Sequence, residues 1–278
     1  MKAVVIGYSL LCIFILFTST ACGSRYVSRG FYKSKNEIQK IVIIVDPLIF
    51  DRESKLTFDK SDRRYLSQSF SDLGREKIRA AAEVAFAEKG YVPSYFPINY
   101  WGGFVSDTAK IRFGKNRKAK KEKISFPVIF AEGVDSIEVN ALIRIEQQVF
   151  SLFDRRIPAA SDRNVELSLS DDEASKLFNK IGCRHLFLIL AVGSHIDAEE
   201  MMWVNMNAGP IVVAAMAATE SYPFLRALGV LIDLQEKTVL WTNNSSHDLD
   251  INDNAEINWN IQNFLIEPLS NCSYKSNR

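Results

Sequence analysis

The chain has 278 residues, with 34 Lys and Arg against 33 Asp and Glu and a formal net charge of +1. So even a balance supplies no global basic field and argues against nucleic acid as a partner. An apolar fraction of 47 % is enough for one large core or two modest ones. The four cysteines lack the spacing of a zinc site.

The first element is an almost wholly apolar run, Ala3 to Phe17, opened by Lys2 and followed by small and polar residues. That is the profile of a signal peptide. At 15 residues the run is shorter than the ~20 that a helix needs to cross a hydrocarbon core. Ser19-Thr20-Ala21-Cys22 resembles the lipobox of bacterial lipoproteins, although Ser19 stands where that family prefers Leu. The resemblance implies cleavage before Cys22, acylation of its thiol and a membrane tether. Gly23 and Ser24 after the cysteine imply the outer membrane by the same analogy. The alternatives are an ordinary signal peptide cut after Ala21 or Gly23, or an uncleaved anchor. Loss of residues 1–21 takes the basic count to 33 against 33 acids, so the mature chain is neutral. Cys183 and Cys272 then remain, either paired in an oxidising compartment or as buried thiols.

Residues 22–39 are expected to be a polar tether and 40–278 a single periplasmic domain. Ile41 to Val45 is a β-branched run that reads as a strand buried on both faces, ending at Asp46-Pro47. A long helix is expected next, capped by Ser61 or Asp62 and stopped by Gly90. Its apolar stripe would be Leu66, Phe70, Leu73, Ala81, Val84 and Ala85, interrupted by Lys77, with a break near Ser71-Asp72. Tyr91 to Gly103 is too rich in Pro and Gly for a regular element. Lys110 to Lys123, with eight basic residues and one acid, reads as a solvated loop. SFPVIF has strand character, and Glu138 to Phe153 fits helix or strand. Ser170 and Glu173 form a capping box for a short helix ending at Gly182. His185 to Ser194 is the clearest central strand, and Ala227 to Thr242 a β-hairpin turning at Gln235-Glu236-Lys237. A terminal helix is expected to stop before Pro268. Gly209 to Thr219 is apolar and small, expected as a helix packed in the core or at a subunit contact. Alternating strands and helices closed by a hairpin point to an α/β (α+β) three-layer fold, a central mixed sheet flanked by helices.

The late segment LGVLIDLQEKTVLWTNNSSHD resembles a hairpin of CsgG/PelC/LpoB-like periplasmic lipoproteins, in which a strand ending in Asp leads through a turn to Val-x-Trp. Those positions are Asp233, Val239 and Trp241, with Lys237 where the family turn carries Gly. The order of an early strand, a helix ending in Lys89-Gly90-Tyr91 and the strand at His185 is similar too. The resemblance implies a non-enzymatic accessory domain that assembles, often as a homo-oligomer, on export or cell-wall proteins of the envelope. It implies neither cofactor nor metal.

Local catalytic signatures are missing: there is no nucleophile elbow, zincin motif, P-loop or dinucleotide fingerprint. His195, Asp197, Glu199 and Glu200 follow a strand end, where α/β sheets often hold ligands. This SHIDAEE stretch is the candidate site for a rival reading, an exported metal-dependent or hydrolytic enzyme; a charged loop closing a strand is the plainer one. A ligand-binding envelope sensor is a third possibility. The surface expected to meet a protein or anionic partner spans Tyr95 to Lys123. Its contacts would be the aromatics Tyr95, Phe96, Tyr100 and Trp101 and the cations Lys115, Arg117, Lys118, Lys120 and Lys121. The alternative is that the aromatics fold back over the core and the cations are merely solvated.

Overall fold

The computed structural model describes residues 26–52, 64–105, 109–112, 121–124, 126–129, 137–153, 165–196, 224–247 and 251–270. Its elements in chain order are β1 (Tyr26–Val27), α1 (Arg29–Ser34), β2 (Lys40–Arg52), β3 (Arg64–Leu66), α2 (Gln68–Glu88), β4 (Val92–Tyr95), β5 (Tyr100–Trp101), β6 (Ala109–Arg112), β7 (Lys121–Ile124) and β8 (Val128–Ile129). There follow α3 (Ile137–Phe153), β9 (Val165–Glu166), α4 (Asp171–Ile181), β10 (His185–Ile196), β11 (Phe224–Asp233), β12 (Thr238–His247) and α5 (Asn254–Asn260). A π-helical run, Ile261–Ile266, then leads into α6 (Glu267–Ser270).

The fold is mixed α/β, as the alternation of patterns implies. An open mixed sheet runs β1-β12-β11-β10-β2-β3-β6-β7, with β4 also on β2 and β9 also on β12. Parallel β2 and β10 form its spine, paired from Val42↔Leu186 to Arg52↔Ile196. Both are nearly continuous apolar runs because each face is covered by helices. Ile41, Ile43, Val45, Phe187, Ile189 and Ala191 pack under α2, α1 and the C-terminal helices. Ile44, Leu48, Leu186, Leu188 and Leu190 face the opposite layer of α3 and α4.

Local signals resolve well where they are dense. Ser170 and Glu173 make the capping box of α4, and Gly182 closes it in the left-handed conformation (φ 72°). The hairpin forms as expected, and Lys237 adopts φ 50°, the conformation for which the resembling turn carries Gly. Asp233 holds that turn: its buried carboxylate accepts from the N–H groups of Gln235 and Glu236 and from the Arg184 guanidinium.

Other expectations are corrected. α2 is one unbroken helix capped by Ser67, which accepts from Phe70 N–H. Its buried stripe is Ser71, Gly74, Arg75, Ile78, Ala81, Ala82, Ala85 and Phe86, and Val84 is exposed. The stripe is rotated because two polar residues, Ser71 and Arg75, have partners inside the fold. β2 runs through Pro47 instead of ending there. Part of the Pro/Gly-rich stretch forms β4 and β5, and the ends of the basic stretch pair as β6 and β7. The C-terminal helix continues past Pro268; the carbonyl four residues before it, that of Phe264, accepts instead from Asn243 Nδ2. Gly209 to Thr219 lies outside the described residues.

The expected tether contributes to the core from Tyr26 onward. Tyr26 pairs with Thr242 on the sheet edge, is 1 % exposed, and its hydroxyl accepts from Val165 N–H. Ser28 caps α1, and Phe31 and Ile38 are buried under the sheet. These pieces are too short for a periodic signal, which is why composition alone reads them as polar spacer. Phe31→Ala should therefore cost about 3–5 kcal/mol in equilibrium denaturation, the range for a buried aromatic. Lys33→Ala, on the exposed side of α1, should stay within about 0.5 kcal/mol; equal, small effects would return this segment to the role of a spacer.

Candidate functional site

β2 changes partners along one edge. Its first residues, Lys40 to Ile43, pair with β4, and its last, Phe50 to Arg52, pair with β3. Between them the sheet is split. The odd-numbered residues direct their backbone groups toward this side, as Ile43 C=O accepting from Phe96 N–H and Ile49 C=O accepting from Ser67 N–H show. Pro47 falls on the same side, so its missing N–H costs no ladder bond. Two further backbone groups on this side are met by side chains of α2: Ser71 Oγ accepts from Ile49 N–H at 3.1 Å, and Arg75 Nε donates to Val45 C=O at 3.3 Å.

Arg75 passes through the split. Its helix covers one face of the sheet, yet Nη2 donates to Tyr100 C=O at 2.7 Å and Nη1 to Ile98 C=O at 3.5 Å on the other face. The guanidinium lies 5.9 Å from the Trp101 ring, and Nη1 is 3.5 Å from Asp72 Oδ1, which also accepts from Trp101 Nε1. Beyond it is a carboxylate cradle. Asp46 Oδ1 accepts from Gly102 N–H at 2.8 Å and Oδ2 from Gly103 N–H at 2.6 Å. Glu146 arrives from α3 and accepts from the Tyr100 hydroxyl at 2.9 Å.

Asp46 and Glu146 are both 0 % exposed. Burial raises Asp46 to about 6, against the opposing pull of the two glycine N–H groups and Arg75. Glu146 is raised well above its ordinary value by burial and then by the charge of Asp46. Glu146 Oε2 has no protein donor among the described residues. The two carboxyls act on each other by charge, so Glu146 keeps its proton where Asp46 is ionised. Burial, Glu146 and Asp46 in turn push the Tyr100 hydroxyl well above its usual range, so it stays protonated and donates. Chemically, the arrangement is a buried polar lock joining β2, the 96–104 segment and α3.

The residues expected to form a partner surface divide. Tyr100 and Trp101 are buried against the core and cannot serve as an exposed rim. Tyr95 and Phe96 are half-buried, the Tyr95 ring lying 5.2 Å from the Arg79 guanidinium. Lys121 opens β7, and Lys115, Arg117, Lys118 and Lys120 lie outside the described residues. At the end of β10, His195 is buried, with its ring 4.1 Å from that of Phe70 and Nδ1 3.3 Å from Asn252 Nδ2. Asp197, Glu199 and Glu200 lie outside the described residues. Cys183 is a free thiol whose Sγ lies 3.5 Å from Lys40 C=O; Cys272 lies outside the described residues.

The acid pair was missed from sequence. Its signal is a lone acid inside an apolar run: Asp46 in IVIIVDPLI, and Glu146 on the helix face of Ala141, Leu142, Ile145 and Val149.

The chain matches no known family model and no curated protein. Among solved structures it is similar to lipoprotein GNA1162 from Neisseria meningitidis, at 13 % identity over 77 % of this chain and 83 % of that one, with a TM-score of 0.26. It is also similar to a PelC dodecamer from Paraburkholderia phytofirmans, at 8 % identity over 84 % of this chain and 86 % of that one, again with a TM-score of 0.26. Both likenesses are remote, and the functional reading rests on the chain's own residues.

Two outcomes test the lock. A Cβ on Gly103 would stand 2.0 Å from Glu146 Oε2 and 2.6 Å from Tyr100 Cε2, so Gly103→Ala should destabilise by about 3 kcal/mol or more in chemical denaturation. The second is pH dependence. Both carboxyls hold their protons more tightly in the folded chain than in the unfolded one, where Asp and Glu titrate near ~4. Above that value the folded state binds more protons, so stability falls as pH rises, through about 6 for Asp46 and with a further loss as Glu146, itself raised well above its ordinary value, gives up its proton. The urea midpoint should drop as pH rises from about 4 through about 6, and go on dropping as Glu146 titrates. Glu146→Gln keeps an acceptor for Tyr100 and removes the Glu146 titration, so it should flatten the profile; an unchanged slope would remove the Glu146 proton from the account.

Proposed function

We propose that this chain is a non-enzymatic, lipid-anchored periplasmic accessory protein of the outer membrane, assisting export or cell-envelope assembly through protein contacts. The observation that carries the reading is the apolar run Ala3 to Phe17 followed directly by Ser19-Thr20-Ala21-Cys22. Acyl chains on Cys22, at ~0.8 kcal/mol per buried CH2, hold a protein on a membrane durably. Among the described residues no helix is long and apolar enough to cross a bilayer, so in this reading the lipid is the attachment. A scaffold role is supported by the acid pair: two fully buried carboxyls committed to holding three segments together are not placed to meet a substrate. Recognition then belongs to exposed loops and edges. Homo-oligomerisation is part of the proposal only through the hairpin resemblance.

Growth with labelled palmitate should label the wild type and leave Cys22→Ala unlabelled, and membrane fractionation should place the wild type in the outer membrane. An unlabelled, freely soluble wild type would overturn the reading and bring forward the exported-enzyme alternative at His195 to Glu200.

A further inference from the structure

We infer that the two-stranded ladder of β6 and β7 is a binding surface for a linear, anionic polysaccharide. This adds a second kind of partner to the protein contacts proposed above, and it holds whether or not Cys22 is acylated. β6 and β7 end the strand order of the sheet. They are antiparallel, with Ala109 opposite Ile124, Lys110 opposite Lys123, Ile111 opposite Glu122 and Arg112 opposite Lys121. Residues directly opposite one another share a face, and the face alternates along each strand. One face of the ladder therefore holds the positions of Ala109, Ile111, Glu122 and Ile124. The other holds Lys110, Arg112, Lys121 and Lys123, four cations in two directly opposed pairs. At ~3.4 Å per residue along a strand and ~5 Å between opposite positions, the four mark out a rectangle of roughly 7 by 5 Å.

Like charges directly opposite each other weaken a ladder, and two such pairs in succession call for a counter-charge. Glu122, the acid within the two strands, is on the other face. Asp51 belongs to the same row as Arg112 but is separated from it by β3, where Tyr65 stands opposite Asp51 and in register with Arg112. Basic residues on an edge strand can serve to deter stray pairing. That role does not account for Lys110 and Arg112, because β6 is paired on both sides, with β3 and with β7. The composition of the face selects the partner. A protein interface is built around apolar anchors, and a leaflet-binding surface sets its cations beside apolar residues that enter the acyl boundary. This face of the ladder has neither. Three of its four cations are lysines, point charges that follow the charge density of a polymer and not the geometry of one group. Tyr65, in register beside Arg112, adds an aromatic residue of the kind that meets a sugar ring with an apolar body and a polar tip.

The test measures binding of the full-length protein in detergent to immobilised polygalacturonate, with dextran as the uncharged polymer and poly-L-glutamate as a peptide competitor. The expected result is binding to polygalacturonate that weakens as salt is raised, none to dextran, and displacement by free polygalacturonate at a lower concentration than by poly-L-glutamate. Lys110→Glu with Arg112→Glu turns both like-charge pairs into opposite-charge pairs, so it should lower affinity by about tenfold or more while the amides of β6 and β7 exchange no faster than in the wild type. Lys33→Glu with Lys180→Glu makes the same change of net charge at exposed positions of α1 and α4 and should stay within about twofold. If the first variant loosens the ladder, Lys121→Glu with Lys123→Glu, which makes the same opposed pairs from β7, decides in its place. Equal losses in the ladder and control variants, undiminished binding by the ladder variants, or equal displacement by the two polyanions overturns the inference.

Discussion

The structure depends on how β2 survives a break in its own hydrogen-bonding edge. A buried strand with six unpaired positions would leave several backbone groups dry, at a cost of about 1–3 kcal/mol each. Here much of that cost is avoided by a proline and by side chains of α2. Pro47 has no N–H to satisfy, Ser71 takes the N–H of Ile49, and Arg75 gives to the carbonyl of Val45. The guanidinium then continues to the far side and holds the carbonyls of Ile98 and Tyr100, which brings Gly102 and Gly103 over Asp46. One side chain therefore couples two layers that the sheet would otherwise keep apart.

The cradle explains why two acids tolerate complete burial. Asp46 is held as an anion by two backbone donors and a nearby cation, while Glu146 keeps its proton because a second charge at that distance is too costly. Tyr100 completes the set by donating to Glu146 and presenting its carbonyl to Arg75. Replacement of the whole set by apolar residues need not weaken the fold, since buried ionic groups often add specificity of arrangement more than stability. What they fix here is the path of the 96–104 segment and the seat of α3.

Legibility in the sequence followed the range of the interactions. The capping box of α4, the β10 strand and the hairpin around Asp233 are decided by residues within a few positions of one another, and they were readable. The stripe of α2 was read with the wrong rotation because Ser71 and Arg75 look like surface residues until their partners on β2 are known. Tyr26 and Phe31 gave no periodic signal, since a two-residue strand and a six-residue helix are too short to show one. Asp46 and Glu146 are separated by a hundred positions in sequence; one is an acid within an apolar run and the other an acid on an apolar helix face, and only the fold reveals that the two exceptions answer each other. Tyr100 and Trp101, read as a recognition surface from their neighbours Pro97 and Gly102, are instead the wall of that acid pair.

The split has one more consequence, for what the chain does while it is folding or crowded. A gap in the middle of a sheet is an invitation to a stray β-strand, from another copy or from an unfolded neighbour, to slot in and start an aggregate. In this protein the intruder would find the row of donors and acceptors interrupted. Proline removes one donor, a serine and an arginine from α2 have claimed the N–H of Ile49 and the C=O of Val45, and the two flanking strands close both ends. The device that ties the layers together also leaves the gap with less for a foreign strand to read.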